Sequence, residues 1–239
     1  MSKIVITAAN SQIGSYLAKQ YLKEGKELVL LYHNNTHRIQ GLMAEAFRVD
    51  LSDLDATKSV FNQIEGDIDA VIHCAAIRSE DAMPLSQTDE AMFTRVFNGN
   101  FYPTYNVLRA VLPRMTERGF GRIVLFGSEV GKEGLINGSA YAASKAAIAN
   151  LAKTSSLENA KYNVLINCIS PGPVLTNLEE DYEGEYLIFR KKYFENHRTK
   201  CASGELVTMQ EIKVTTDLLI SRDIRNMCGE EIFLTGGKS

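Results

Sequence analysis

Residues 3–14 of this chain read KIVITAANSQIG and decide its fold. Their first part, Lys3–Thr7, is a short apolar run with the length of a buried strand. Apolar residues then recur at helical spacing, at Ile13, Tyr16, Leu17 and Tyr21. A buried strand that leads directly into a helix predicts the first unit of an α/β domain.

The same alternation of strand and helix continues along the whole chain. Seven strands separated by helices predict an α/β fold: a single-domain, Rossmann-like, doubly wound parallel sheet of about seven strands with helices on both faces. Such sheets bind their ligands beyond the carboxyl ends of the strands. Residues 1–239 are therefore expected to form one domain with its site at that edge. The predicted strands after the first are Glu27–Tyr32, Ala46–Val49, Ile68–Ala76, Arg122–Ser128, Val164–Ser170 and Glu231–Thr235.

The composition is that of an ordinary globular protein. Of 239 residues, 45% are apolar and 23% are charged, with 26 basic against 29 acidic side chains, so no basic excess predicts binding to nucleic acid. The N-terminal apolar run is too short for a secretory signal, and no charge-free apolar run reaches the ~18 residues of a membrane span. The four cysteines are far apart, which argues against a metal site or disulfide framework and favours reduced thiols in the cytoplasm.

The loop between the first strand and the first helix, Thr7–Gly14, lies where α/β folds bind the pyrophosphate of a dinucleotide. Glycine is usual there because backbone amides approach the phosphates closely, while the helix N-terminus supplies positive partial charge. Only Gly14 is a glycine here, and Ala8 and either Ser11 or Gln12 occupy the other glycine positions. A plain turn between strand and helix accounts for this loop equally well.

The residues after the second strand bear on the choice of cofactor. Folds that prefer NAD place an acidic residue there to bind the ribose 2′-hydroxyl. Here His33, Asn34 and Asn35 are neutral and Arg38 is nearby, a combination that tolerates a 2′-phosphate and favours NADP(H) over NAD(H). The alternative is that His33 and His37 are ordinary solvated loop residues.

Polar and small residues also follow the next two strands. Asp50 comes directly after the third strand, where it either contacts a ligand or closes a turn, and Ser52 is expected to cap the following helix. His73 lies inside the apolar run of the fourth strand and is expected to be a hydrogen-bonded core histidine. Ala75 and Ala76 are small enough to let a flat ligand approach the backbone.

A long helical pattern over residues 89–118 is interrupted by Gly99 and Pro103. Proline inside a helix removes a backbone hydrogen bond and bends the helix. Asn98 and Asn100 lie at this break, where a side-chain amide or a freed carbonyl could hold a water.

Tyr141 and Lys145 are four residues apart in a helical segment, so they are expected to share one helix face. A phenol titrates near ~10, and an ammonium group beside it lowers that pKa and makes the phenol a usable acid or base. Chance alone predicts roughly 0.6 such pairs in a chain of this composition. The pair therefore needs support from its surroundings, and Ser128, at the carboxyl end of the fifth strand, supplies part of it.

Taken in order, these motifs resemble those of the short-chain dehydrogenase/reductase family over essentially the whole chain, with the 3-oxoacyl-(acyl carrier protein) reductases as the most similar subgroup. The resemblance implies Asn100, Ser128, Tyr141 and Lys145 as catalytic residues, and the spacing from Asn100 to the segment 109–115 favours it over Asn98. It also implies reversible, NAD(P)(H)-dependent interconversion of a carbonyl and an alcohol, with Tyr141 as general acid/base.

The same resemblance implies a set of cofactor contacts. Two of the three loop glycines are replaced, which leaves a second hypothesis, a nucleotide-sensing or scaffold protein with weak cofactor binding. Ala8 is tolerated if its backbone needs no positive φ, and the Gln12 side chain must point away from the pyrophosphate. The implied cofactor contacts are Thr7, Ala8, Asn10, Ser11, Gln12, Ile13, Gly14, His33, Asn34, Asn35, Asp50, Leu51, Cys74, Ala75, Ala76, Tyr141, Lys145, Pro171, Gly172, Val174 and Thr176.

Residues 177–200 are expected to form an amphipathic helical lid that selects a small carbonyl or alcohol substrate, free or carrier-bound. Its aromatic side chains pack either on the substrate or on the protein beneath. Its later basic residues either bind an anionic group, such as a phosphopantetheine, or form a solvated face. The aromatic residues are Tyr182, Tyr186, Phe189, Tyr193 and Phe194, and the basic ones are Arg190, Lys191, Lys192, Arg198 and Lys200.

The helix that starts near Tyr141 is apolar almost all round, with six alanines between Ala142 and Ala152. Such a helix is usually covered on both sides. One side faces the sheet, so the other is expected to meet a second subunit in a homodimer or homotetramer. No metal, nucleic acid or membrane partner is expected.

Overall fold

The computed structural model describes residues 2–79 and 82–237, and its centre is one parallel sheet. The strands are β1 (Ser2–Thr7), β2 (Glu27–Tyr32), β3 (Glu45–Arg48), β4 (Asp67–His73), β5 (Gly121–Phe126), β6 (Val164–Pro171) and β7 (Glu231–Leu234). Their order is β3-β2-β1-β4-β5-β6-β7, so the chain starts inside the sheet, winds to one edge, and then returns to build the other half. This confirms the predicted seven-stranded, doubly wound fold.

Helices cover both faces of this sheet. They are α1 (Gln12–Lys23), α2 (Leu54–Gln63), α3 (Glu90–Arg118), α4 (Val130–Glu133), α5 (Ser139–Asn159), α6 (Leu178–Asp181), α7 (Gly184–Lys200) and α8 (Met209–Ile220). α2, α3 and α5 pack on one face, and α1 and α8 pack on the other. Within the described ranges, none of the helices combines the length and apolarity that crossing a bilayer requires.

The hydrophobic core follows the two-residue alternation of the strands. In β1, Val5 points to the face covered by α2, α3 and α5, whereas Ile4 and Ile6 point to the face covered by α1 and α8. Val71 and Ile72 of β4 divide in the same way. Strands covered on both faces are continuous apolar runs, which is why their positions could be predicted from the sequence.

Two strands end two or more residues earlier than predicted, and both ends open loops at the carboxyl edge. β4 stops at His73 rather than Ala76, because the backbone amide of Ile77 donates to the side-chain oxygen of Asn100 (3.2 Å) instead of joining the sheet. β5 stops at Phe126 rather than Ser128, because the chain turns after Gly127 into the short helix α4.

Two predictions about the helices are wrong. α3 is one unbroken helix, so Gly99 and Pro103 do not interrupt it. α2 is capped by Asp53, whose carboxylate accepts hydrogen bonds from the first helical amides (2.8 and 3.0 Å), and not by Ser52. Ser52 instead donates through both its amide (2.9 Å) and its hydroxyl (2.7 Å) to Asp50, so Asp50 closes a turn.

Candidate active site

The end of β5 and the first turns of α5 bring three of the predicted catalytic residues to one place. Lys145 Nζ lies 5.6 Å from the centre of the Tyr141 ring, which confirms that the two side chains share a helix face. The same Nζ donates to the carbonyl oxygen of Phe126 (3.0 Å), the last residue of β5. Ser128 follows two residues later and is half-buried. α5 is thereby held against the strand end that carries Ser128.

The protonation chemistry of this pair differs from the prediction. Lys145 is only 2% exposed, and burial lowers its pKa to about 8. Burial likewise raises the pKa of Tyr141, and the cation that opposes this rise is Arg190 of α7. The prediction that Lys145 lowers the Tyr141 pKa is therefore wrong for this structure. Lys145 Nζ lies above the Tyr141 ring and donates to the Phe126 carbonyl. Loss of solvent around the phenol has the largest effect on the Tyr141 pKa.

Asn100 is fully buried and its side chain is used by the protein itself. Its amide nitrogen donates to the carbonyl of Val96 (2.9 Å), and its side-chain oxygen accepts from the Ile77 amide (3.2 Å). Because Pro103 has no N–H, the helix carbonyl left without its usual donor is that of Gly99. Asn98, in contrast, lines an open surface cleft of about 640 Å³ at the start of α3. The structure thus gives Asn100 the role of holding the loop after β4 against α3.

His73 is a core histidine, as predicted. Its Nδ1 is 2.9 Å from the hydroxyl oxygen of Thr7 and its Nε2 is 3.1 Å from that of Thr104. Burial, with a smaller contribution from the charge of Lys145, lowers the His73 pKa to about 3. Thr7 was predicted to contact the cofactor, but its side chain is buried beneath the loop and is engaged by His73.

The loop after β1 has the shape of a dinucleotide loop despite its lost glycines. Ala8 adopts a φ of 43°, so the condition under which alanine is tolerated at position 8 is not met in this structure. The Ser11 side chain caps α1 by accepting from the Gly14 amide (3.0 Å). A Cβ at Gly14 would stand 2.6 Å from the Ala8 carbonyl oxygen, so only glycine fits there. A tight turn that ends at a helix N-terminus is the arrangement that a pyrophosphate requires, and these residues fit one.

Gln12 and Arg38 connect this loop to α6. The Gln12 side chain donates to the Asn177 carbonyl (2.6 Å) and to Asp181 (2.7 Å), and it accepts from the Asn177 amide (2.8 Å). Arg38 pairs with Asp181 (2.7 Å) and Glu180 (3.0 Å) and also donates to the Asn10 carbonyl (3.3 Å). We call these contacts of Gln12 and Arg38 with residues 177–181 the latch. They direct the Gln12 side chain toward α6 and the residue that precedes it.

The polar residues after β2 and β3 form one exposed surface beside the loop. His33 Nε2 lies 3.9 Å from Asp50, whose pKa is held below its ordinary value by the hydrogen bonds from Ser52. Asn35 accepts a long hydrogen bond from Asn10 (3.5 Å). Arg48 was missed in the sequence: it is exposed at the end of β3, and its Nε donates to the His33 carbonyl (2.9 Å). Arg48 is therefore a second cation near this surface, in addition to the predicted Arg38.

The other predicted cofactor contacts divide into exposed and buried groups. Ala76 is exposed, and Cys74, Ala75, Pro171 and Thr176 are half-buried. Leu51, Gly172 and Val174 are buried. The Leu51 side chain packs in the core beneath α2, α3 and α5, and that of Val174 packs in the core beneath α1 and α8. The Gly172 amide donates to the carbonyl of Leu234 in β7 (2.8 Å).

A buried acid–histidine pair beside Ser128 was also missed. Glu129 and His197 are 1% and 3% exposed, and His197 Nδ1 lies 3.3 Å from a carboxylate oxygen of Glu129. Tyr193 donates its hydroxyl to the same oxygen (3.2 Å). The pair fixes α7 to the segment that carries Ser128. No local pattern could reveal it, because its members are far apart in the sequence.

Comparison with known proteins identifies the family. The sequence model of the short chain dehydrogenase family matches residues 2–186. The chain belongs to that family. This short-chain dehydrogenase is 28% identical to the 3-oxoacyl-(acyl-carrier-protein) reductase MabA of Mycobacterium avium, over 98% of the chain and 88% of the relative.

Solved structures resemble it over nearly their full length. It is 27% identical to a 4-hydroxyisoleucine dehydrogenase complexed with NADH, which it matches over 100% of its own chain and 99% of the other, with a TM-score of 0.86. It is 26% identical to a 3-oxoacyl-(acyl-carrier-protein) reductase from Agrobacterium tumefaciens C58 with NADP bound, over 99% and 93% of the two chains, with a TM-score of 0.84.

As a short-chain dehydrogenase, the protein is a nicotinamide-dependent oxidoreductase, which confirms the predicted enzyme class. The family match includes every predicted catalytic and cofactor position but stops at residue 186, near the start of α7. Arg190, Tyr193 and His197 therefore lie outside the matched segment.

Proposed function

We propose that this enzyme interconverts a carbonyl and an alcohol by hydride transfer, with reduction favoured and Tyr141 as general acid/base. The observation that carries the proposal is the buried Lys145 ammonium, held 5.6 Å from the Tyr141 ring and bonded to the end of β5. A nicotinamide cofactor, when bound, supplies or accepts the hydride. The backbone of residues 8–14 would hold its pyrophosphate, and Gly172 and Thr176 would adjoin its nicotinamide end.

Ser128, Tyr141 and Lys145 carry the proton chemistry. Ser128 donates a hydrogen bond to the substrate carbonyl oxygen, and Tyr141 gives its proton to the same oxygen as negative charge develops there. Burial raises the pKa of Tyr141, so the phenol is protonated in this structure and carries the proton that reduction requires. Lys145 orients the phenol and the ribose. We assign the water that returns the proton to the turn of α3 around Asn100, where the Gly99 carbonyl lacks its usual helical donor.

Replacing Tyr141 by phenylalanine tests this mechanism. Tyr141→Phe removes the donated proton and leaves the ring, so turnover should fall by roughly a hundredfold or more. The rate is followed at the nicotinamide absorbance with a panel of carbonyl compounds. Tyr162→Phe, a change at an exposed tyrosine just after the C-terminal end of α5, is the matched control and should keep the wild-type rate. Near-normal turnover by Tyr141→Phe would contradict the mechanism.

We propose NADP(H) as the preferred cofactor. Three residues without a carboxylate, His33–Asn35, follow β2, and Arg48 presents a cation beside them, whereas Arg38 is engaged by Glu180 and Asp181. Arg48→Gln should therefore weaken NADPH binding about tenfold and change NADH binding little, since only NADPH carries the 2′-phosphate. Isothermal titration with both cofactors measures this. Equal losses for the two cofactors would overturn the assignment to Arg48.

A cofactor titration also separates the enzyme from a scaffold with weak cofactor binding. A ligand present at a hundred times its dissociation constant should raise the free energy of unfolding by about 2.7 kcal/mol. Stabilisation by NADPH is the expected result. Its absence with both NADPH and NADH would favour the scaffold.

The proposed substrate is a small carbonyl compound or the corresponding alcohol, free or carrier-bound. The relatives support this breadth, since their names include both a carrier-linked 3-oxoacyl substrate and a hydroxy amino acid. All four cysteines are free, which supports a reducing, cytoplasmic setting.

A further inference from the structure

Arg190, on the inner side of α7, is a cation enclosed by aromatic rings. Its guanidinium carbon lies 4.9 Å from the ring centre of Phe194, 5.5 Å from that of Tyr182 and 5.7 Å from that of Tyr193. Its Nε is buried and lacks a hydrogen-bond partner among the described residues. Contacts with ring faces stabilise the positive charge but leave the in-plane N–H donors unused.

Three acidic groups that precede α7 are already engaged elsewhere. Glu179 pairs with Lys191 (2.6 Å), and Glu180 and Asp181 pair with Arg38. Across residues 2–79 and 82–237, no carboxylate forms an ion pair with Arg190. A guanidinium with a buried, unsatisfied Nε donor is costly unless a partner arrives from outside the chain.

The position of this cation connects it to the reaction. Tyr193, whose ring centre lies 5.7 Å from the Arg190 guanidinium carbon, donates its hydroxyl to Glu129 (3.2 Å), the residue that follows Ser128. The charge of Arg190 also lowers the pKa of the Tyr141 phenol, against the larger effect of burial. A second cation is Arg78, which lies in the loop after β4. Its guanidinium carbon is 4.7 Å from the centre of the Tyr186 ring. The wall of the site that faces Tyr141 from α7 is therefore aromatic and positively charged.

We propose that Arg190 binds a carboxylate of the substrate, so that the enzyme acts on small oxo acids and the matching hydroxy acids. A planar guanidinium presents parallel N–H donors that match the two oxygens of a carboxylate, which a lysine does not. The aromatic rings exclude water and strengthen this contact. The inference rests on the proposed function, because it places the acid on the molecule whose carbonyl meets Tyr141. The atoms that react are unchanged, and the carboxylate serves only to hold the substrate.

Matched acids and esters test the inference. Pyruvate, acetoacetate, levulinate and 5-oxohexanoate, each beside its methyl ester, are reduced with NADPH by the wild type and by Arg190→Gln, Arg190→Lys and Arg198→Gln. Arg198 is the control, because it is an exposed arginine on the same helix. We expect the wild type to prefer at least one acid. Arg190→Gln should lower the acid-to-ester ratio of kcat/KM by about tenfold to a hundredfold, Arg190→Lys by less, and Arg198→Gln by less than about twofold.

Three results would overturn the inference: no preference for any acid in the wild type, an unchanged ratio in Arg190→Gln, or an equal drop in Arg190→Gln and Arg198→Gln. Thermal unfolding confirms that each variant is folded. Should the wild type reduce none of the eight compounds, these substrates give the proposed function no support, and calorimetric titration of the four acids decides the inference separately. Acid binding that is lost in Arg190→Gln and kept in Arg198→Gln supports the carboxylate site, and binding that does not depend on Arg190 refutes it.

Discussion

His73 joins three elements through its two ring nitrogens, to Thr7 of β1 and to Thr104 of α3. Its folded-state pKa of about 3 lies below the ordinary 6.5. Between these two pH values His73 is protonated in the unfolded chain and neutral in the folded chain. Stability contributed by neutral His73 is therefore complete above pH 6.5 and is lost as the pH falls from there toward 3. The loss reaches about 2 kcal/mol at pH 5.

Urea unfolding at pH 7 and pH 5 checks this. His73→Gln cannot take up the proton, so its free energy of unfolding should fall between the two pH values by about 2 kcal/mol less than that of the wild type. An identical dependence in His73→Gln and the wild type would show that another group governs acid stability.

For single residues, local sequence patterns predicted positions in the fold well, but not backbone conformation or pKa. The shared face of Tyr141 and Lys145 follows from helix geometry, and the core position of His73 follows from its apolar neighbours. The positive φ of Ala8 was not predicted, since alanine rarely adopts it and only the packing of Gly14 against the loop imposes it. The direction of the Tyr141 pKa shift was also missed, because burial is a property of the whole fold.

The predicted lid, residues 177–200, shows the same limit at the scale of secondary-structure elements. A helix within residues 177–200 was predicted, and α6 and α7 fill most of that range. The amphipathic character was not confirmed: of the residues in α7 only Phe194 and His197 are buried, while Ile188 and Phe189 are 69% and 55% exposed. What holds the helix is a few specific polar contacts, such as that of Glu129 with His197, rather than a continuous apolar face.

The latch should control how often this lid opens. Gln12→Ala removes three hydrogen bonds between the loop after β1 and residues 177–181, each worth about 0.5–1.5 kcal/mol. We expect amide exchange in residues 178–200 to become about tenfold faster, as measured by hydrogen–deuterium exchange with mass spectrometry. Gln63→Ala, at an exposed glutamine on α2, is the control. Unchanged exchange in Gln12→Ala would mean that the buried contacts of α7 alone hold the lid.

For the whole molecule, the order of the strands and the position of the site at their carboxyl edge follow from the alternation of apolar runs with helices. The approach of distant segments does not: Gln12 meets Asn177 across 165 residues of sequence. Such contacts depend on loop paths, which hydrophobic periodicity does not encode.

Assembly into a homodimer or homotetramer stays a prediction, and α3 provides its most specific support. Phe93, Phe97, Phe101 and Tyr105 stack along one side of this helix, with ring centres 5.7–6.4 Å apart, and all four are only half-buried. Neighbouring Tyr102 is 47% exposed. α3 packs beside α5, the helix predicted to meet a partner, so the two helices offer one continuous face.

Phe97→Arg should disrupt that interface, because a charge would be buried between subunits. Size-exclusion chromatography with light scattering should show a dimer or tetramer for the wild type and a smaller species for the variant. Met43→Arg, a change at a methionine that is 91% exposed elsewhere, should leave the mass unchanged. A monomeric wild type would refute the prediction.

The latch has a consequence for the order of events in turnover. Gln12 belongs to the loop that would hold the pyrophosphate, and Asn177 begins the lid, so breaking their hydrogen bonds loosens both at once. We therefore expect release of the product and exchange of the dinucleotide to depend on the same opening of the latch. We expect a single slow opening, rather than two successive ones, to limit the steady-state rate, and mutations at either end of the latch to alter both exchanges in parallel.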